Sequence, residues 1–266
     1  MRSLRVLFSL LAVIATVVVI VFIVTVTDDD QLDVPPGRSR ASEPSATVLP
    51  TTTSTRAMPP TVDMFGHRLE VPVDTAGAVL AQSDTGRIDN TRADYLTAPP
   101  ARLQWQQIWG SAAVPVSASD GPTRNTGGVA SGFARTPQGA ALAALDAIGR
   151  VYAAPDPIWR QVVADRFYGG GDPLVDGFAR SRAATPGMGR YVTVPEGVRI
   201  QPGYRDDLAL VQLAVRSTNG YAIATWPMVW VDGDWRIRTP QTLDTLWAPA
   251  TPTPSTVGFG DWSSQS

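Results

Sequence analysis

The chain has no cysteine, no lysine and a single histidine among its 266 residues. Without cysteine there are no disulfides, no thiolate metal sites and no lipid-modified cysteine behind a signal segment. With one histidine, patterns such as H-E-x-x-H and H-x-x-x-H are excluded, and C-x-x-C falls with the cysteines. No G-x-S-x-G element or phosphate-binding loop occurs. The glycines of GGGDP (169–173) follow no strand and precede no lysine, so they do not cradle a phosphate. The net charge of −2 offers no basic surface for nucleic acid, and no direct nucleic-acid partner is expected. All 22 basic residues are arginine, a mark of a GC-rich coding genome rather than of a chemistry. No catalytic residue, metal ligand or cofactor is assigned on this basis.

What is present begins with residues 6–26, VLFSLLAVIATVVVIVFIVTV, an unbroken apolar run. At about 1.5 Å per helical residue it spans roughly 30 Å, the hydrocarbon thickness of a bilayer. Arg2 and Arg5 precede it, and Asp28, Asp29 and Asp30 follow it. Arginine is retained on the cytoplasmic side, so residues 1–5 stay inside and the rest lies outside, at the cell membrane. The run is longer than a cleaved signal's apolar core and ends without an A-x-A site, which makes it a single-pass signal anchor. Residues 27–61, rich in Pro, Ser and Thr, bury too little apolar surface to fold and read as a spacer.

Residues 62–127 read as an extended arm that packs on the next domain, with short strands in MFGHRLEVPV and ARLQWQQIWG. Residues 128–245 are the main domain. Thr136 is placed to cap a helix that starts at Pro137 and carries Leu142, Leu145, Ile148, Gly149 and Tyr152 on one face. Asp156–Pro157 opens a second helix, ended by Gly169–Gly171, and PLVDGFARSRAA suggests a third. The period then becomes twofold: RYVTV, GVRIQPGY, DLALVQLAVRS, YAIATWPMVWV and DWRIRT read as strands, with a hairpin turn at Asn219-Gly220 and a bulge or edge at Pro227. Residues 246–266 read as a flexible tail. Helices followed by an antiparallel meander give an α+β fold class, arranged as an NTF2-like cone of N-terminal helices on a curved sheet.

The segment SASDGPTRNTGGVASGFARTPQGAALAA, with the downstream VWVDGDWRI, resembles membrane-anchored proteins of actinobacterial integrative and conjugative elements, which carry a domain of unknown function. The resemblance covers about residues 62–245, and its core is G-F-A-R-T-P-x-G-A-A-x-A-A. The architecture is also similar to VirB8-like and TcpC-like proteins of conjugative type IV secretion, although one domain is evident here where TcpC-like proteins carry two. The resemblance implies a non-enzymatic structural subunit of an envelope-spanning DNA-transfer apparatus. Its partners would be the membrane, other secretion or conjugation channel proteins, and a possible second copy of itself.

The residues offer two sites. Trp226, Met228 and Trp230 share one face of a strand; the tryptophans read first as core, but if the protein's own helix leaves that face uncovered they form, with Trp235 and Arg135, the candidate interface. Arg135 is read first as a structural tie between the arm and the helix and only second as a partner contact. The alternative function is a tethered small-ligand-binding protein or isomerase-like enzyme, which needs a carboxylate and a tyrosine in one apolar cavity. Asp165, Asp206 or Asp207 with Tyr168, Tyr191 or Tyr204 would supply it. His67, alone beside Arg68, reads as a surface residue.

Overall fold

The computed structural model describes residues 58–217 and 220–263. The apolar run, most of the spacer and the first two residues of the predicted hairpin turn lie outside them. Among the described residues no helix is long and apolar enough to cross a membrane.

The fold is α+β and is organised around one helix, α1 (Pro137–Ala153). It starts as the sequence dictates, with Thr136 extended and its hydroxyl accepting the Gly139 N–H, and with Pro137 at the first helical position. All but three of its 17 residues are buried. The prediction of one apolar face is therefore too narrow: the alanines between the larger residues bury the other faces too, and a helix apolar all round belongs inside.

Two sheets enclose it. On one side lie β1 (Met58–Val62), β2 (Arg68–Val71), β3 (Gln104–Ile108) and β4 (Ala112–Val116), hydrogen-bonded in that order, with β4 against α1. The segment read as an extended arm is thus a sheet, and it begins inside the segment assigned to the spacer. Its β2–β3 pair is parallel, between partners 36 residues apart (Glu70 and Gln106), so no local hairpin signal announces it. A small hairpin, β5 (Arg124–Thr126) and β6 (Val129–Ser131), leads into α1.

After α1 come α2 (Ile158–Arg166), β7 (Phe167–Tyr168) and α3 (Gly171–Ala184), so a two-residue strand does lead into Gly169–Gly171, contrary to the sequence reading. The main sheet follows with β8 (Gly197–Ile200), β9 (Leu208–Ser217), β10 (Gly220–Val231) and β11 (Asp234–Arg238), ordered β7-β11-β10-β9-β8. β9 and β10 pair without a register break from Gly220↔Ser217 to Val229↔Leu208. Pro227 is therefore not in a bulge. On the other side of β10, β12 (Thr251–Thr253) pairs up to Ile223 and β11 pairs from Met228 onward. Pro227 sits in the unpaired gap between them, where a residue without an N–H costs no ladder bond. RYVTV is not a strand: Gly187 (φ 70°) turns the chain into a 3-10 turn at Met188–Tyr191.

The predicted flexible tail is instead packed on the domain. β12 joins β10, Gly260 bridges Val198 on the far edge of the sheet, and Trp262 is fully buried. The Trp262 carbonyl accepts the Trp105 indole N–H (2.7 Å), and its own indole N–H donates to the Thr97 carbonyl (2.9 Å). The chain after the main sheet thereby clasps the first sheet.

Candidate functional site

The most specific motif in the chain turns out to hold the fold together. Gly132 adopts φ 78° against Thr123, where any Cβ would collide with that side chain. The Gly132 and Phe133 N–H groups donate to the Asp234 carboxylate, which also takes the buried Arg166 guanidinium at 2.7 Å. The Thr136 hydroxyl donates to the buried Asp120 while accepting from Gly139. A Cβ on Gly139 would strike the Ala134 carbonyl. Further along α1, Arg150 grips both oxygens of Asp146 (2.8 and 2.9 Å) and donates to the carbonyls of Ala76 and Gly128. Each of these polar groups is consumed in joining the first sheet, α1 and β11.

The candidate interface does not form an exposed stripe. Met228 and Trp235 are fully buried, and Trp226 and Trp230 are half-buried against the same core. The inner face of β10 is covered by the protein's own helices, which explains why the tryptophans are there. Arg135 is exposed, but it faces inward: its Nε donates to the Asp206 carbonyl (2.7 Å) and its guanidinium lies 5.4 Å from the centre of the Trp230 ring. It is a tie between the α1 entry and the loop before β9.

At the far end of that inner face is a cavity of about 160 Å³. Leu145, Ile148 and Tyr152 of α1 form one wall, Leu213 and Val215 of β9 with Ala224 and Trp226 of β10 another, and Tyr191 and Thr193 belong to the rim. Leu246, Trp247, Ala248 and Ala250 roof it. The roof is fixed at two points. Trp247 lies on Gly177 of α3, where a Cβ would meet its ring, and edge-on to Phe178 (5.5 Å); four residues later β12 joins β10. The Trp226 indole N–H is buried and has no acceptor among the described residues. Tyr152 is held beside Ser181, and burial raises its pKa.

Among the described residues no carboxylate lines this cavity. Asp165 is exposed and accepts from Gln161, and Tyr168 is 49% exposed. Asp206 and Asp207 stand on an exposed turn, where the hydrogen bond from Arg205 lowers the Asp207 pKa. Tyr204 packs against Tyr95 (6.3 Å) and Trp235 (6.2 Å), and burial, with the neighbouring Tyr95 and Asp206, raises its pKa. Of the six residues that an isomerase-like site would draw on, only Tyr191 reaches the cavity. A second, polar cleft of about 480 Å³ lies near the β5–β6 hairpin, with Arg124, Arg166 and Arg236 opposite Asp165, Asp232 and Asp234. Arg166 pairs with Asp234 and Arg236 with Asp232, so most of its charge is spent internally.

His67 is not the surface residue predicted. It is 16% exposed, with Nδ1 3.1 Å from Asp63 and Nε2 3.8 Å from Glu196, and Asp63 also accepts the Val194 N–H. The β1–β2 turn is thereby fastened to the segment entering β8. The partners in that segment lie more than a hundred residues away in the chain, and nothing local to His67 signals them.

A domain in which two sheets share one buried helix, with an apolar cavity at the end of the larger sheet, is the class that fold and site define. No curated protein and no solved structure matches the chain. Residues 70–261 match the family described as a domain of unknown function (DUF8175), and the chain belongs to that family. The matched range extends past the main sheet to the segment that carries β12 and Gly260, in keeping with their place in the fold.

Proposed function

We propose that the protein is a non-enzymatic, membrane-tethered extracytoplasmic subunit of an envelope-spanning complex, with the apparatus of conjugative DNA transfer as the setting. Its main domain is read as NTF2-like: helices on the inner face of a bent antiparallel sheet dominated by the long β9–β10 hairpin. The observation that carries the proposal is the use made of the signature segment. Among the described residues the buried charged groups are Asp120, Asp146, Arg150, Arg166 and Asp234, and each binds backbone, a neighbouring hydroxyl or another of them. The anchor and spacer read from the sequence place this body outside the membrane, with the described fold starting at Met58.

The test is in-cell photo-crosslinking of the full-length chain in its own host. Photoreactive residues replace Met64 and Val73, which are 51% and 60% exposed on the tether side, and Tyr168 on the main sheet. Capture of other membrane proteins of the transfer channel is the expected outcome. Recovery of uncrosslinked monomer at all three positions overturns the assembly role.

A further inference from the structure

The inner face of β10 is graded along its length. From one end it carries Ala222, Ala224, Trp226, Met228 and Trp230. The large residues fill the sheet against Trp235, and the cavity opens where Ala224 stands opposite Leu213. The roof repeats the choice with Ala248 and Ala250. Valine, isoleucine or an aromatic residue suits a strand better than alanine, so Ala224, which lines the cavity, departs from strand preference where a larger side chain would take up space. Trp226 stands at the boundary between the filled and the open half, with a buried indole N–H that the protein leaves without an acceptor among the described residues. A buried donor left unmatched is costly, and a partner on another molecule removes that cost.

We propose that this cavity binds a compact, mostly apolar small molecule carrying one hydrogen-bond acceptor, which the Trp226 N–H receives after a small turn of its ring. Its volume of about 160 Å³ is close to the roughly 150 Å³ of an engineered cavity known to hold benzene. The ligand therefore matches one ring or an equal bulk of hydrocarbon chain. No charged side chain lines the walls, so an ionised ligand would lose its hydration without compensation. The site is independent of the assembly role and stands or falls separately from it.

The test uses the full-length protein in lipid nanodiscs and two photoreactive probes. A diazirinyl benzyl alcohol represents ring compounds, and a diazirine-bearing hexanol represents the end of an acyl chain. At least one labels peptides containing residues 213–226 and 246–250, and the unreactive parent alcohol competes. Labelling by the ring probe alone assigns a ring ligand; labelling by the chain probe alone assigns a lipid-like one. Ala224→Leu and Ala250→Phe fill the space from opposite sides, and each lowers labelling about tenfold. Trp226→Phe keeps the wall, removes the donor and lowers labelling several-fold. Circular dichroism confirms the fold of each variant, and the two filling variants guard against failure of either one. Labelling of these peptides that is equal in wild type and in both filled variants overturns the proposal, as does labelling confined to the apolar run at 6–26.

Discussion

The two sheets hold the same helix by different means. The main sheet meets α1 with bulk: Val211, Leu213, Met228, Trp235 and Ile237 are all buried in the shared core. The first sheet brings Leu69, Leu103 and Trp105 to the same core, but it and the loops around it are also held by close packing and fixed polar ties. A Cβ on Gly149 would lie 2.5 Å from Val114, so β4 rests almost on the helix backbone. Arg150 reaches out of α1 to the Ala76 and Gly128 carbonyls, Gln138 to those of Tyr95 and Ala98, and Trp105 to Trp262. Apolar bulk is forgiving of shape, since volume-conserving changes cost little. Buried polar ties are not, because losing one partner strands the other. The first sheet should therefore be the region of the molecule that single substitutions release.

The strongest break is Arg150→Leu, which leaves Asp146 charged and buried. A loss of about 3–5 kcal/mol in denaturant unfolding is expected, with protease sites opening first between residues 70 and 130. The double change Asp146→Leu with Arg150→Leu recovers some of that loss, because no charge then remains without its partner. Next comes Trp262→Ala, expected to cost about 3 kcal/mol by opening a cavity and losing the indole bond to the Thr97 carbonyl. Its signature is hydrogen exchange that rises at β3 while β9 and β10 stay protected. Gly149→Ala should cost about 1–3 kcal/mol by overpacking, and Val114→Ala in the same chain should return most of it, since the clash is between those two positions.

The smallest effect concerns tyrosines, of which Tyr95 before β3 and Tyr152 and Tyr204 of the main domain all have raised pKa values. Tyr152 and Tyr204 have pKa values raised above the ordinary 10.0, chiefly by burial. Below about pH 10 both the folded and unfolded chains keep the proton. Above it the unfolded chain ionises first and stability falls, until the higher folded values are reached. Unfolding midpoints should be level through neutral pH and decline in alkali. Tyr152→Phe with Tyr204→Phe should flatten that decline, and an unchanged slope in the double variant would remove these residues as its cause.

The elements that were legible in the sequence are those with local causes. Thr136 and Pro137 mark the start of α1, and the alternation in 208–231 marks the long hairpin. Illegible were contacts made across the chain. Trp262 lies 157 residues from Trp105, and in isolation its neighbours (Gly258, Gly260, Ser263) suggest a loose end. The first sheet depends on a parallel pair that no turn connects. Whether the candidate interface is covered was illegible for a related reason. Sequence periodicity shows that Trp226, Met228 and Trp230 share a face, but not that α1 and the roof cover it. The cavity left a faint trace in Ala222 and Ala224, small residues in a strand otherwise built from large ones, whose meaning depends on what stands opposite.

The β1–β2 hairpin also decides how the molecule responds to tension. A pull on the chain ahead of Met58 enters the fold at the open end of that hairpin, where Met58 faces Val71, and the register is already broken between Met58 and Thr61. Loaded there, the cross-strand bonds break in succession instead of sharing the force, as in a zipper rather than a lap joint. The peel runs toward the turn and stops at Asp63 and His67, the rivet to the segment entering β8. Modest stretching would thus release one strand and leave the helix, both remaining layers and the cavity undisturbed.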